Sequence, residues 1–173
     1  MKKILMTLTV ALMAISANAQ VYVGGGFGIA STSVDGGDDE TTFKFVPEVG
    51  YTFNDEWAVG AAFGWEGASK GAKTVSVNPY VRWTFFKSSI VSAFVDGSFE
   101  YAHEYGDGHD ADGFGVGLKP GVAVSLNNHL SFVTHVGFLG YEHIKNNKTD
   151  AKADRWGLDV DGRNIIFGLY YNF

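Results

Sequence analysis

Eight ionisable side chains recur on one side of a two-residue alternation: Lys44, Glu48, Glu66, Arg82, Asp96, Glu100, Lys119 and His135. The alternate positions around them are mostly Gly, Ala and Ser. Charges withdrawn from water must pair, or they shift their protonation and neutralise. These residues therefore read as a charge network inside a narrow enclosure. Counting back from the turn at 54–56 sets Lys44 opposite Glu66, a cross-strand ion pair. Asp96 and Lys119 fall at similar heights on neighbouring strands. Arg82 and Glu48 fall near mid-strand, two strands apart. The same faces carry Gly60, Gly64, Gly115, Gly117 and Gly121, which leave room, and Tyr80, Phe86, Phe94, Tyr141 and Tyr170, which take it back.

Nucleophilic chemistry has little to build on. Ser131 and His135 share a face, but four residues of strand separate them by about 13 Å, beyond the reach of a nucleophile–base pair. No catalytic residue is expected. The outer acidic stretches are Asp35-Gly36-Gly37-Asp38-Asp39-Glu40 and His103 to Asp112. Asp110-Ala111-Asp112-Gly113 matches half of a calcium-loop pattern, but Gly108 and Lys119 stand where that pattern needs acids. We expect no metal and no cofactor.

The elements that must position these residues are strands, visible by period 2. They fall at 20–31, 41–53, 57–68, 73–86, 90–102, 113–126, 130–143 and 163–173. The sixth is the clearest: Phe114, Val116, Leu118, Pro120, Val122 and Val124 face one way, Gly115, Gly117, Lys119, Gly121 and Ala123 the other. Most run ten to fourteen residues, enough to cross a bilayer core when tilted. Turns of three residues (54–56, 87–89, 127–129) alternate with longer polar loops at 32–40, 69–72, 103–112 and 144–162. Trp156, within the longest loop, is expected to pack on the rim. Three segments starting at Val46, Asn78 and Lys119, each with proline second, repeat a hairpin pattern. Each proline lacks a ladder donor, so a bulge is expected beside it.

The apolar face carries two aromatic groups. Tyr51, Phe53, Trp57, Trp83, Phe85, Phe132, Tyr171 and Phe173 sit near the turns; Phe43, Phe63, Trp65, Phe99, Tyr101, Phe114 and Phe138 sit near the loops. Two aromatic girdles suit two lipid–water interfaces. A soluble barrel with the faces inverted would show a surface of Gly, Ala and Ser with few charges, a poor solvent face. The fold class is therefore an all-β, eight-stranded antiparallel up-and-down transmembrane β-barrel, spanning 20–173.

Residues 1–19 read as a cleaved signal peptide. Lys2 and Lys3 form its basic start, Ile4 to Ile15 its apolar run, and Ala17-Asn18-Ala19 its cleavage site. Losing those two lysines takes the formal net charge from −6 to −8. So acidic a chain is a poor partner for nucleic acid. There is no cysteine, hence no disulfide framework.

The chain resembles the small eight-stranded outer-membrane barrels: the transmembrane domain of outer-membrane protein A and the porin-like barrels of Bacteroidetes. The resemblance rests on strand number, loop alternation and the ending Asn164-Ile165-Ile166-Phe167-Gly168-Leu169-Tyr170-Tyr171-Asn172-Phe173. It implies that Phe167, Leu169, Tyr171 and Phe173 form the recognition signal for the barrel-assembly machinery. It also implies the Gram-negative outer membrane as location, contact with outer-membrane lipid and lipopolysaccharide, and a monomer. Wall tethering is not implied, since no peptidoglycan-binding domain follows. No His-x-Ser-Asn motif of the lipid A deacylases is present. The expected function is a structural, envelope-integrity barrel whose loops serve binding. The alternative is a narrow porin-like channel for small solutes.

Overall fold

A computed structural model describes residues 21–32, 40–68, 71–106, 109–159 and 166–173. The segment expected to be a signal peptide and most of the first acidic loop lie outside these residues. Ten strand segments are present: β1 (Val21–Thr32), β2 (Glu40–Thr52), β3 (Trp57–Ala68), β4 (Lys73–Lys87), β5 (Val91–Gly106), β6 (His109–Ser125), β7 (Leu130–His135), β8 (Phe138–Asn146), β9 (Lys152–Asp159) and β10 (Ile166–Asn172). Segments β7 and β8 form one crossing, and β9 and β10 form the last. The result is a closed, eight-stranded antiparallel barrel. Closure comes from β10, which pairs with β1 on one side and β7 on the other. In lipid every backbone group must find a partner within the sheet, so a closed sheet is required.

Two of the three short turns are set by their first residue. Asn54 Oδ1 accepts from the backbone N–H of Glu56 and Trp57, both at 2.9 Å. Asn127 Oδ1 does the same for His129 (2.9 Å) and Leu130 (2.8 Å). Such Asx turns hold the chain reversal through the side chain. Asp55 pairs with Lys87 of the next turn, and the hydrogen bond from Lys87 holds its carboxyl below the usual range.

Two irregularities overturn part of the expected facing. At Val136–Gly137 the register between the sixth and seventh crossings slips by one. Gly121 pairs with His135, but Leu118 pairs with Leu139. Gly137 adopts φ +79°, the left-handed region suited to a bulge glycine. Beyond it every side chain changes face. Phe138, expected in the outer girdle, turns into the lumen, and Tyr141, expected inside, turns out. A second bulge between Thr84 and Phe86 turns Phe86 outward in the same way, and it is exposed. A one-residue insertion is invisible to period-2 counting and inverts all that follows.

The prolines behave differently from one another. The bulge at 136–137 stands opposite Pro120, whose carbonyl accepts from the Val136 N–H at 2.8 Å. Pro47 and Pro79 interrupt the ladder on one side without any shift in register. A missing donor thus needs a gap in pairing, and only at Pro120 is that gap relieved by an extra residue.

Two expected loops are largely strand. The stretch 103–112 is a β5–β6 hairpin paired out to Gly106 with His109. Residues 110–113, which matched half of a calcium-loop pattern, are paired strand. Over 144–159 the expected loop is a tight turn at 147–151, in which Asn146 Oδ1 accepts from Lys148 and Thr149, followed by β9 paired with β8. Lys152, Asp154, Trp156 and Leu158 alternate with Ala153, Arg155 and Gly157 there. Above the bilayer neither face is uniformly apolar, so the alternation carries no hydrophobic signal.

Replacing Gly137 by Ala retains the bulge's residue count but strains its backbone. We expect a loss of about 1 kcal/mol or more in stability, read as a lower urea midpoint for the barrel refolded in lipid vesicles.

Candidate functional site: a charge-plugged lumen

The buried core of this molecule is the inside of the barrel. Tyr22, Ala58, Tyr80, Phe94, Val133 and Tyr170 form it. Large exposed hydrophobics such as Phe45, Trp57, Phe63, Val81, Leu118 and Leu169 face outward. Each inward ring lies over a glycine of a neighbouring strand. A Cβ at Gly121 would enter the Phe94 ring, and one at Gly60 the Tyr80 ring. Likewise Gly50 admits Tyr22, Gly24 admits Tyr170, and Gly117 admits Phe138. An eight-stranded barrel is only wide enough for side chains to fill; the glycines make that filling dense.

At the centre stands Arg82, on β4. Its Nε donates to Asp96 Oδ1 at 2.7 Å and its Nη2 to Asp96 Oδ2 at 2.8 Å. This is the bidentate fork that guanidinium and carboxylate favour. His135 Nε2, on β7, donates to Asp96 Oδ2 at 2.9 Å. Arg82 Nη2 also lies 3.5 Å from Glu48 Oε1. The hydroxyls of Tyr80 and Tyr170 donate to the two oxygens of Glu48, and Tyr22 OH joins Tyr80 OH. The guanidinium carbon sits 3.9 Å from the centre of the Phe94 ring, a close cation–π contact. Glu48, Arg82 and Asp96 are each less than a tenth exposed.

The other sequence-derived charges form two outlying pairs. Lys44 meets Glu66 at 3.4 Å, directly across β2 and β3 as the count from the turn requires. Lys119 is in register with Asp96 but bonds Glu100 instead, at 2.9 Å. Asn78, missed in the sequence, donates to the same Glu100 oxygen at 3.0 Å. Asp96 already accepts three hydrogen bonds from Arg82 and His135, so the lysine turns to the nearer free carboxylate. Tyr22 was also missed. Its strand runs Tyr22-Val23-Gly24-Gly25-Gly26, where glycines on both faces erase the alternation. Ser131 accepts a weak bond from Asn172 Nδ2 at 3.3 Å, and no hydrogen bond joins it to His135.

Phe167, Leu169, Tyr171 and Phe173 all face outward on the closing strand, each roughly half-exposed. Tyr171 packs edge-on against Phe173 at 5.0 Å, and Phe132 stacks on Phe167 at 5.7 Å. They extend an aromatic belt that includes the Trp57–Trp83 stack.

Residues 4–173 match the outer membrane protein beta-barrel domain. The chain belongs to that family. It is located in the outer membrane of the cell. Two solved barrels share its fold. Neisserial surface protein A is 17% identical with a TM-score of 0.56; the alignment covers 88% of this chain and 97% of that one. OprG from Pseudomonas aeruginosa is 17% identical with a TM-score of 0.51, covering 89% and 96%. No curated protein sequence matches the chain.

Within this family barrel the loop half of the lumen is open. A cavity of 610 Å³ descends from the loop end, lined by Lys44, Ser76, Glu100, Lys119, Phe138 and Glu142 among others. It reaches Glu48, Asp96, His135, Tyr80 and Tyr170, so the plug is its floor. Among the described residues no group of three or more His, Cys, Asp or Glu side chains could hold a metal.

Arg82→Met leaves Asp96 and Glu48 as buried, uncompensated carboxylates. A loss of about 3 kcal/mol or more is expected, measured by urea unfolding in lipid vesicles. Arg82→Met with Asp96→Leu removes both charges of the fork and should recover most of that loss, because Glu48 keeps its two tyrosine donors.

Proposed function

We propose that this protein is a structural, envelope-integrity barrel whose lumen is sealed to solutes, leaving the loop-side cavity and loops available for binding. The observation that carries this reading is the Arg82–Asp96 fork at mid-lumen, packed among Phe94, Tyr80 and Tyr170. For a continuous path, Arg82 must leave Asp96. The alternative carboxylate is Glu48, whose oxygens already accept from two tyrosines. Separating a buried pair of this kind costs roughly 3–5 kcal/mol, which holds an open state to about one molecule in a thousand. No step in this reading calls for a catalytic residue.

A narrow channel is the second reading. It is favoured by the 610 Å³ cavity, which takes a solute as far as the plug. The two readings differ in one measurable quantity. In planar bilayers the folded protein should give no steady conductance step, and vesicles carrying it should not swell in small sugars or amino acids. Steady openings on the nanosiemens scale, or rapid swelling, overturn the sealed-barrel reading in favour of the channel.

A further inference from the structure

Several inward glycines exist to make room for a neighbouring ring. Gly115 on β6 is different. A Cβ there meets nothing nearer than 3.5 Å, an ordinary contact, and its backbone lies outside the left-handed region. Neither packing nor conformation requires a glycine at this position. Its missing side chain leaves open space instead, and Gly115 lines the 610 Å³ cavity. One row of the ladder crosses this point: Glu100 on β5, Gly115 on β6, Glu142 on β8 and Arg155 on β9. Two carboxylates thus stand on either side of a bare stretch of backbone. The Phe138 ring rests on Gly117 and Gly140, and its Cζ comes within 4.0 Å of the Gly115 Cβ position.

The polar groups around Gly115 have unused hydrogen-bonding capacity. Glu100 takes Lys119 Nζ at 2.9 Å and Asn78 Nδ2 at 3.0 Å on one and the same oxygen, Oε2. Its Oε1 accepts no hydrogen bond among the described residues. Asn78 is 8% exposed and lines the cavity, yet its Oδ1 has no donor among those residues either. A buried carbonyl oxygen without a donor is destabilising, so this one calls for a donor from the cavity. Glu142 has only Arg155, at 4.0 Å, too far for a hydrogen bond. The charges meanwhile are balanced, Glu100 by Lys119 and Glu142 by Arg155. An ionic ligand upsets that balance in a partly desolvated lumen. Hydroxyl groups donate and accept without disturbing it.

We propose that the space over Gly115 binds a neutral sugar ring. Its hydroxyls donate to Glu100 and Glu142, reach Asn78 Oδ1 beside Glu100, and accept from Arg155. A C–H face of the ring lies against the Gly115 backbone and the tip of Phe138. An apolar surface with a few convergent polar groups, in a cavity of this volume, is the make-up of a small-molecule site. The inference rests on the reading of the loop-side cavity as a binding chamber above a sealed plug, and it names the ligand class of that chamber. A free sugar and the end of a glycan chain present the same ring, and the probes below separate them.

The test is an NMR titration of the folded, full barrel in dodecylphosphocholine micelles, which carry no sugar of their own. The probes are methyl glucopyranoside, glucosamine, glucuronate, mannitol and dextran. The glucoside should shift the amide signals of Gly115 and Glu142 and saturate in the millimolar range. Glucosamine and glucuronate, which bring a charge, and mannitol, which has the hydroxyls without the ring, should each bind about tenfold more weakly. Displacement of the glucoside by dextran assigns the site to a glycan end; its absence assigns it to a free sugar. Gly115→Val fills the space and should abolish binding, while Lys87→Gln, at the opposite end, changes nothing. Should Gly115→Val fail to show the faster migration of an unboiled barrel, Glu142→Gln supplies a second reading. It leaves Arg155 unmatched, so glucuronate should then bind better than the glucoside. Tighter binding of either charged sugar by the unaltered barrel, equal binding of mannitol, or undiminished binding by folded Gly115→Val overturns the site. Swelling of vesicles in the glucoside overturns the sealed plug instead, because binding is read at equilibrium without passage.

Discussion

The fork between Arg82 and Asp96 is the interaction on which the rest of the barrel depends. A protein in lipid has no use for an apolar core, because its apolar residues already have a solvent. What remains to be filled is the lumen, which is too narrow for bulk water and too polar in backbone and side chain for hydrocarbon. Filling it with charge is stable only when each charge is met several times over. Asp96 accepts three hydrogen bonds, Glu48 is held by two tyrosines and lies near Arg82, and Phe94 covers the guanidinium face. Remove the cation and two carboxylates stand unmatched in the least hydrated part of the molecule. The same fork lies across mid-lumen, so the packing of the interior and its stability rest on one pair.

The wall and its filling are fitted to each other residue by residue. An inward aromatic needs space that an eight-stranded circumference does not offer unless the residue beneath its ring on a neighbouring strand lacks a side chain. Tyr80 over Gly60, Phe94 over Gly121 and Phe138 over Gly117 meet this condition. Phe138 reaches the lumen only because of the bulge at Val136–Gly137. That bulge stands opposite Pro120, so a residue that cannot donate to the ladder leads, one strand away, to a change of face for a whole strand segment. Tyr141 and His143 reach the outer wall by the same inversion, where they join Asp154.

A large part of this was legible in advance. Strand number, antiparallel order, the short turns at Asn54 and Asn127, and the outward aromatics of β3, β4 and β6 follow from period 2 and turn chemistry. The Lys44–Glu66 pair follows from counting back from one turn, because no shift in register lies between. The choice of Glu100 over Asp96 as partner of Lys119 was not legible. Register made Asp96 the neighbour, but hydrogen-bond capacity had already been used by Arg82 and His135 from two other strands. Tyr22 was hidden by glycines on both faces of β1. The β9 segment was hidden because strand above a membrane has no apolar side to announce it.

By itself the sequence determined the class of the fold and the side of the wall on which most residues stand, because both depend on local alternation and on turn residues acting within a few positions. Tertiary structure alone decided which charge meets which, where the faces invert, and how far the lumen is open. Those outcomes depend on strands up to 122 positions apart in the chain, as between Glu48 and Tyr170. They depend as well on single inserted residues whose effect on facing appears only when two strands are laid side by side.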